Sequence, residues 1–193
     1  MRALRSVTGT VAVLDRPDVD TDQIIPKQFL KRIERSGYGE FLFFDWMKDP
    51  DFELHRAPGA SILIAGRNFG CGSSREHAAW ALEDYGFRVV IAPSFGDIFR
   101  RNAVLTGLAP VELESVQVAR LREAIAADNE LTVDLEHLVV SHPSGLRIEF
   151  DFDPHAQETL VEGLDDVART LQRSAEIDAF EATYEPRFDV SRL

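Results

Sequence analysis

Residues 66–77 hold the side chains best suited to chemistry, and they read Gly-Arg-Asn-Phe-Gly-Cys-Gly-Ser-Ser-Arg-Glu-His. The stretch joins an apolar run to a helical one, and glycine-rich turns at such a junction commonly bind anions. Ser73 and Glu76 have the spacing of a capping box, which predicts that a helix begins at Ser73. The positive end of that helix would favour the anionic form of the Ser73 hydroxyl, so Ser73 is a candidate general base.

Arg75 supplies a planar guanidinium group on the same turn, and this group can bind a carboxylate through two hydrogen bonds. The same loop would then hold both a base and a clamp for the substrate. A purely structural interpretation stays open, in which Ser73 only caps the helix, Arg75 only pairs with a surface acid and the glycines only permit the turn. For Cys71 and His77 we prefer the structural interpretation, because such residues commonly serve packing or satisfy backbone groups.

Two other catalytic motifs do not fit this stretch. A serine-hydrolase elbow needs Gly-x-Ser-x-Gly, whereas residues 70–74 read Gly-Cys-Gly-Ser-Ser. A phosphate-binding P-loop needs a lysine followed by serine or threonine after its last glycine, and no lysine stands near.

The net charge of −12 opposes nucleic acid and anionic membrane surfaces as partners. A single cysteine cannot hold zinc or an iron–sulfur cluster alone, so we expect no such metal bound by this chain.

The elements that must position this loop have the pattern of a mixed α/β domain. Residues 7–14, 60–65 and 88–92 are predicted strands, and a helix over 74–85 between the last two predicts that they pair in parallel. An acidic loop at 15–22 and a short helix near 27–31 follow the first strand. Residues 35–58 mix glycine, aromatic and acidic residues without a clear period, which indicates a long ordered loop.

The C-terminal half continues with predicted helices near 95–102 and 116–127. Residues 131–140 and 146–152 are predicted to pair as a hairpin around the turn at 142–145. A helical tail is expected from about 154 to 193, with apolar residues spaced for packing in the core or in docking helices: Leu160, Val161, Val167, Leu171, Ile177 and Phe180. The length predicts one domain over 1–193, and the short polar N-terminal run predicts a cytoplasmic protein without a signal peptide or membrane span.

Several separated motifs resemble the small subunit of 3-isopropylmalate dehydratase, a family related to the C-terminal swivel domain of aconitase. The first motif, at residues 20–31, reads Asp-Thr-Asp-Gln-Ile-Ile-Pro-Lys-Gln-Phe-Leu-Lys. The central motif, at 68–78, reads Asn-Phe-Gly-Cys-Gly-Ser-Ser-Arg-Glu-His-Ala, and the third, at 91–99, reads Ile-Ala-Pro-Ser-Phe-Gly-Asp-Ile-Phe. Residues 37–46 also resemble the bacterial type of this subunit, so the similarity covers nearly the whole chain.

The resemblance implies a single swivelling β/β/α domain and an activity in leucine biosynthesis. It implies interconversion of 2-isopropylmalate and 3-isopropylmalate through 2-isopropylmaleate, with a 4Fe–4S cluster carried by a large-subunit partner and none on this chain. By motif position, Ser73 matches the base, Asp22 matches a second catalytic group and Arg75 matches the substrate-carboxylate arginine. The other residues expected to bind the dicarboxylate substrate are Ser74, Thr21, Lys27 and Lys31.

Two alternatives of different kinds remain open at this stage. The chain could serve a homoaconitase or a citramalate isomerase, because the base and the clamp would contact only the malate portion of a substrate. It could instead be a non-catalytic, anion-binding regulatory module. We expect residues 38–46 to shape the pocket for the substrate's apolar end and to close when the large subunit docks. Packing in the core is the alternative for Leu42, Phe43 and Phe44.

Overall fold

The computed structural model describes residues 1–31 and 36–184. The chain divides into two compact units, Met1–Gly163 and Leu164–Leu193. The first unit contains the strands β1 (Ser6–Leu14), β2 (Ile62–Ala65), β3 (Val89–Ala92), β4 (Ala109–Glu112), β5 (Glu130–Asp134), β6 (Val139–Ser141) and β7 (Arg147–Glu149). They form a seven-stranded sheet in the order β4-β3-β2-β1-β5-β6-β7.

Helices of the first unit are α1 (Thr21–Ile24), α2 (Glu76–Tyr85), α3 (Asp97–Thr106), α4 (Ser115–Ile125) and α5 (Pro154–Glu162). Short 3₁₀ turns lie at Lys27–Phe29, Gly39–Phe41, Trp46–Lys48 and Glu53–Arg56. The predicted ordered loop is therefore confirmed over residues 36–58. The short helix expected near 27–31 is only a 3₁₀ turn, and α1 begins at the end of the loop predicted at 15–22 and extends to Ile24.

The first turn of α1 is closed by a capping box that the sequence interpretation overlooked. The Asp20 side chain accepts a hydrogen bond from the Gln23 N–H at 2.8 Å. In return, the Gln23 side chain accepts one from the Asp20 N–H at 2.9 Å. The two bonds satisfy backbone groups that would otherwise lack partners, so a helix forms within the acidic stretch.

The strands β1 to β4 pair in parallel, and β5 to β7 extend the sheet in antiparallel fashion from β1. All residues of β2 and β3 are buried, as expected for parallel strands covered on both faces. The predicted parallel pairing of these two strands is confirmed. The predicted strand at 131–140 is instead broken into β5 and β6, because Asp134 accepts hydrogen bonds from the Glu136 and His137 N–H groups and turns the chain.

Two hydrophobic clusters cover the opposite faces of the sheet. Leu63 and Ala65 of β2 contribute to the cluster that includes α2 and α3, whereas Ile62 and Ile64 contribute to the cluster that includes α4 and α5. Such alternation follows from the strand geometry, in which successive side chains point to opposite faces. The first cluster also contains residues of the long loop at 36–58, and five of them are fully buried: Tyr38, Leu42, Phe43, Phe52 and Leu54. For Leu42 and Phe43 the core interpretation is therefore the right one.

The helix α5 begins at Pro154, as predicted. Asp153 caps its first turn, and Pro154 occupies the first helical position. Leu160 is fully buried, as expected for a core residue of this helix.

No helix of the described residues has the length and apolar character needed to cross a bilayer.

The second unit contains the helices α6 (Asp166–Leu171) and α7 (Ser174–Glu181) within residues 164–184. Asp165 caps α6 by accepting a hydrogen bond from the Ala168 N–H at 2.7 Å. The predicted core positions of this unit are exposed instead: Val167, Leu171, Ile177 and Phe180. Two short helices bury little surface on each other, so the core prediction is wrong for these residues. A docking role for them, and the prediction of one domain over 1–193, stay predictions.

Candidate active site

The candidate active site lies at the edge of the sheet where three parallel strands end. β1, β2 and β3 are followed by the loops 15–20, 66–75 and 93–96. The carboxyl ends of parallel strands meet at one edge, and ligands of such sheets bind in the crevice outside that edge. The predicted glycine-rich site is the middle one of these loops, so both neighbouring loops can support it.

Hydrogen bonds hold the middle loop between its neighbours. The Gly70 N–H donates to the Val19 carbonyl at 2.8 Å, and the Phe69 N–H donates to the Ser94 carbonyl at 3.0 Å. The Ser94 hydroxyl accepts a further hydrogen bond from the Asn68 N–H at 2.8 Å. Ser94 belongs to the third sequence motif, which therefore positions the central motif.

Two glycines make this close approach possible. Gly70 has φ +73°, and a Cβ atom added there would lie 2.2 Å from Cγ of Phe99. A Cβ atom added at Gly96 would lie 2.6 Å from the Gly70 carbonyl oxygen. No side chain fits at either position without moving the backbone or the phenyl ring, so packing alone explains these glycines.

The structure places Ser73 outside the helix, which corrects the prediction that it is the N-cap. α2 begins at Glu76, Arg75 is the N-cap, and no side chain caps this helix. Gly72 has φ +89° and turns the chain before the helix begins. Ser73 is exposed, and its hydroxyl has no hydrogen-bond partner among the described residues. The hydroxyl is therefore accessible to a substrate, but the dipole of α2 does not act on it as an N-cap.

Arg75 and Asp22 form an ion pair across the two loops. Nη2 of Arg75 donates a hydrogen bond to Oδ2 of Asp22 at 2.9 Å. Nη1 contacts Oδ1 as an ion pair, although it is not aligned as a hydrogen bond. The hydrogen bond from Arg75 lowers the pKa of the Asp22 carboxyl group below its usual range, and the charges of Arg75 and Lys27 act in the same direction. The Arg75 guanidinium group thus already binds a carboxylate, but through one hydrogen bond and an ion pair instead of the two hydrogen bonds expected for a substrate.

The remaining predicted substrate residues differ in their positions. Ser74 and Lys27 are exposed; Ser74 follows Ser73 directly, whereas Lys27 lies five positions after Asp22 and acts on it through its charge. Lys31 is exposed as well, and within the described residues it forms no hydrogen bond or ion pair with the other predicted site residues. Thr21 is buried, and its hydroxyl donates to the Ser73 carbonyl at 2.9 Å. The structure therefore joins Thr21 to Ser73 and Asp22 to Arg75 by hydrogen bonds, and among the described residues it joins Lys31 to neither pair.

His77 lies on the first turn of α2 within an aromatic cluster. Its ring centroid is 5.2 Å from that of Tyr38 and 4.6 Å from that of Trp80. Burial lowers the pKa of His77 and the charge of Arg75 adds to this effect, while Glu76 opposes it. A neutral imidazole at pH 7 is therefore favoured. Sequence spacing singled out His77 but contained no signal for its contact with Tyr38 in the long loop.

Cys71 does not have the surroundings of a reactive thiol. Burial raises the pKa of its thiol, and the carboxylates of Asp20 and Asp18 raise it further. A protonated thiol is a weak nucleophile and a poor metal ligand at neutral pH. Among the described residues, no group of three or more histidine, cysteine, aspartate or glutamate side chains could hold a metal ion.

Comparison with protein families agrees with this arrangement of loops on a parallel sheet. The sequence profile of the aconitase C-terminal domain matches residues 1–116, and a second profile, described as LeuD_N, matches residues 119–154. The first match covers more than half of the chain and includes all three loops of the candidate site. The fold and the site thus define a domain of the aconitase C-terminal class, and the predicted α/β swivel-domain fold is confirmed.

Individual relatives narrow the class to one family. Proteins named 3-isopropylmalate dehydratase small subunit are 51% identical in Bacillus subtilis (94% of this chain, 96% of the relative) and 53% identical in Rhodopirellula baltica (90% and 94%). A crystal structure titled 3-isopropylmalate dehydratase from Methanocaldococcus jannaschii is 25% identical, with a TM-score of 0.69 over 90% of this chain and 98% of that one. The chain belongs to the family of 3-isopropylmalate dehydratase small subunits.

Proposed function

We propose that this chain is the small subunit of a hydro-lyase of leucine biosynthesis, which interconverts 2-isopropylmalate and 3-isopropylmalate through 2-isopropylmaleate. The observation that best supports this activity is the accessible hydroxyl of Ser73, two positions from Arg75, which already binds the carboxylate of Asp22. The identity of more than half with relatives named for this activity supports the same conclusion. A homoaconitase or citramalate isomerase is not favoured by these relatives.

Arg75 binds one substrate carboxylate through its guanidinium fork. Asp22 is half exposed, whereas the Arg75 side chain is largely covered. A substrate carboxylate can therefore approach from the Asp22 side and share or replace the contact with Asp22. Lys27, whose charge reaches Asp22, adds to the positive potential that attracts a dicarboxylate. This cationic surrounding matters because the chain as a whole is acidic.

Ser73 accepts the proton from the carbon next to the bound carboxylate. The electron pair of the broken C–H bond forms the carbon–carbon double bond as hydroxide departs from the neighbouring carbon. The hydroxide takes up a proton from solvent and leaves as water, and Ser73 releases its proton to solvent. Arg75 stabilises the enolate-like charge that develops on the carboxylate. Because Ser73 is not the N-cap of α2, the cation that can favour its deprotonated form in this proposal is Arg75, two positions further along the loop. Addition of water in the opposite orientation completes the isomerisation.

A large-subunit partner carries the 4Fe–4S cluster in this proposal. When bound, the cluster supplies a Lewis acid for the departing hydroxyl group. The single cysteine of this chain, Cys71, has a raised pKa and lacks neighbouring ligands in the described residues. Cluster ligation by the partner is therefore the arrangement that these residues support. A cytoplasmic location stays a prediction, which fractionation of the native cells would test.

The proposal is tested by coexpressing the chain with a large subunit of the same family under anaerobic conditions. We expect the complex to turn over 3-isopropylmalate, with homoaconitate and citramalate as poorer substrates. Each subunit alone should be inactive, and iron and sulfide should be found with the large subunit. Stoichiometric cluster on the isolated small chain, or equal turnover without a partner, would contradict the proposal. Ligand binding without turnover in a cluster-loaded complex would favour a regulatory module.

A further inference from the structure

Thr21 differs from the other predicted substrate residues because it is buried within the protein. Only 3% of its surface is exposed, although Asp22 beside it is exposed. Both hydrogen-bond donors of Thr21, its N–H and its hydroxyl, bond to other groups of the protein. Its N–H donates to the Cys71 carbonyl at 3.0 Å, and its hydroxyl donates to the Ser73 carbonyl at 2.9 Å. A side chain in this position supports the central loop rather than reaching the open site.

The contact matters because the helix does not hold Ser73. α2 begins at Glu76, so the Ser73 carbonyl lies outside its hydrogen-bond pattern. Within the described residues, the hydroxyl of Thr21 provides the hydrogen bond that ties the Ser73 backbone to the rest of the protein. Gly72, with φ +89°, permits the turn that presents this carbonyl to Thr21. The direction of the Ser73 side chain is therefore set from the neighbouring loop.

Consecutive residues of α1 thus contact both reactive residues of the central loop. Thr21 holds the Ser73 backbone, while Asp22 binds the guanidinium group of Arg75. α1 itself is closed by the capping box between Asp20 and Gln23, which restricts the movement of both side chains. Loss of the Thr21 hydrogen bond should therefore affect the base Ser73 without removing Arg75, the carboxylate clamp.

We propose that Thr21 is a positioning residue that fixes the base Ser73 through its carbonyl group, and that it does not itself bind the substrate. This inference rests on the proposed function, because it assumes that Ser73 is the base. Small errors in the placement of a reacting group can lower a rate by about 100-fold. Loss of the Thr21 hydroxyl should therefore reduce kcat roughly 10- to 100-fold, while KM stays within about twofold because Arg75 is unaffected.

The test compares Thr21→Val, which removes the hydroxyl but keeps the shape, with Thr21→Ser, which keeps the hydroxyl. Both variants are measured in the assembled, cluster-loaded complex, and specific activity is divided by the amount of complex. We expect Thr21→Val to lower kcat and Thr21→Ser to restore it to within about threefold of the parent. In a Ser73→Ala background, Thr21→Val should cause no further loss, because it acts through the residue already removed.

Several results would overturn this inference. They are an unchanged kcat in Thr21→Val, a rise in KM without a fall in kcat, or a full additional loss in the Ser73→Ala background. Thr21→Ala provides a second variant without the hydroxyl, and failure of both to assemble would show that Thr21 serves folding instead. A parental complex that does not turn over isopropylmalate would contradict the proposed function itself. Turnover by the parent and by Thr21→Val alike would contradict only the role of Thr21.

Discussion

Replacement of Ser73 by alanine should affect catalysis with little effect on stability, whereas the sequence, which predicted an N-cap at Ser73, suggested a loss of both. An N-cap serine would cost about 0.5 to 2 kcal/mol of stability on replacement by alanine. In the structure Ser73 is exposed, does not cap α2, and accepts the Thr21 hydrogen bond through its backbone carbonyl. The side chain can therefore be removed without losing a described contact. We expect the free energy of unfolding to change by less than about 0.5 kcal/mol.

The effect on catalysis should be far larger. A proton-transfer group typically contributes about 10²- to 10⁴-fold to the rate, which corresponds to roughly 2.7 to 5.4 kcal/mol of activation free energy. We expect kcat of Ser73→Ala to fall by that factor, with little change in KM because Arg75 still binds the carboxylate. Ser74→Ala is the comparison variant, since Ser74 is an exposed serine of the same loop that is predicted to bind the substrate but not to accept the proton. Its kcat should fall much less than that of Ser73→Ala.

The assay follows dehydration of 3-isopropylmalate by absorbance of the unsaturated product, with the cluster content of each complex measured in parallel. Thermal unfolding of the isolated small chains shows whether the stability prediction holds. An assembled Ser73→Ala complex with activity within a few-fold of the parent would place the base elsewhere. An equal fall of kcat in Ser74→Ala would contradict a distinct role of the Ser73 hydroxyl in proton transfer.

Arg75→Lys keeps the charge but loses the fork that binds Asp22 through Nη2, so KM should rise and kcat should fall in steady-state assays; an unchanged KM would contradict a clamp role. The pKa of Asp22 is lowered in the folded chain, so its contribution to stability is present above about pH 4 and is lost as the pH falls through the lowered value. Asp22→Asn should therefore weaken the acid dependence of the melting temperature in that range, and an unchanged dependence would refute the pair's contribution. Phe43 is fully buried whereas Phe44 is partly exposed, so Phe43→Ala should cost about 3 to 5 kcal/mol in chemical unfolding. Phe44→Ala should instead change the preference among malate homologues, by roughly 1 to 3 kcal/mol in relative kcat/KM, if the loop shapes the substrate pocket; equal losses for all substrates would oppose this.

Two capping-box patterns in the sequence show why local rules predicted the site only in part. Asp20 with Gln23 and Ser73 with Glu76 have the same spacing, and the first forms the box whereas the second does not. The sequence interpretation assigned a capping box to Ser73 and Glu76 and missed the one at Asp20 and Gln23. Spacing does not reveal which backbone carbonyl a distant residue will bind. At Ser73 the contact with Thr21 and the turn at Gly72 compete with extension of the helix.

The loop aromatics and the tail show the same limit for burial. Aromatic residues without a period could belong to a pocket or to the core, and contact with the sheet places Phe43 in the core. The tail has helical spacing in both of its helical parts, yet Leu160 is buried whereas Val167 and Phe180 are exposed. Periodicity identifies which face of a helix is apolar. Whether another element covers that face is not contained in the periodicity.

The sequence by itself determined the parallel strands, the glycine-rich turn between β2 and α2, and the residues that resemble the dehydratase family, because these features depend on neighbouring positions. Only the tertiary structure decided how Ser73 and Arg75 are held. Thr21 lies 52 positions from Ser73, and Asp22 lies 53 positions from Arg75. These contacts arise because parallel pairing of β1 with β2 brings the loops after both strands to one edge of the sheet. No local spacing encodes the distance between such loops, so the partners of the base and the clamp depend on the folded sheet.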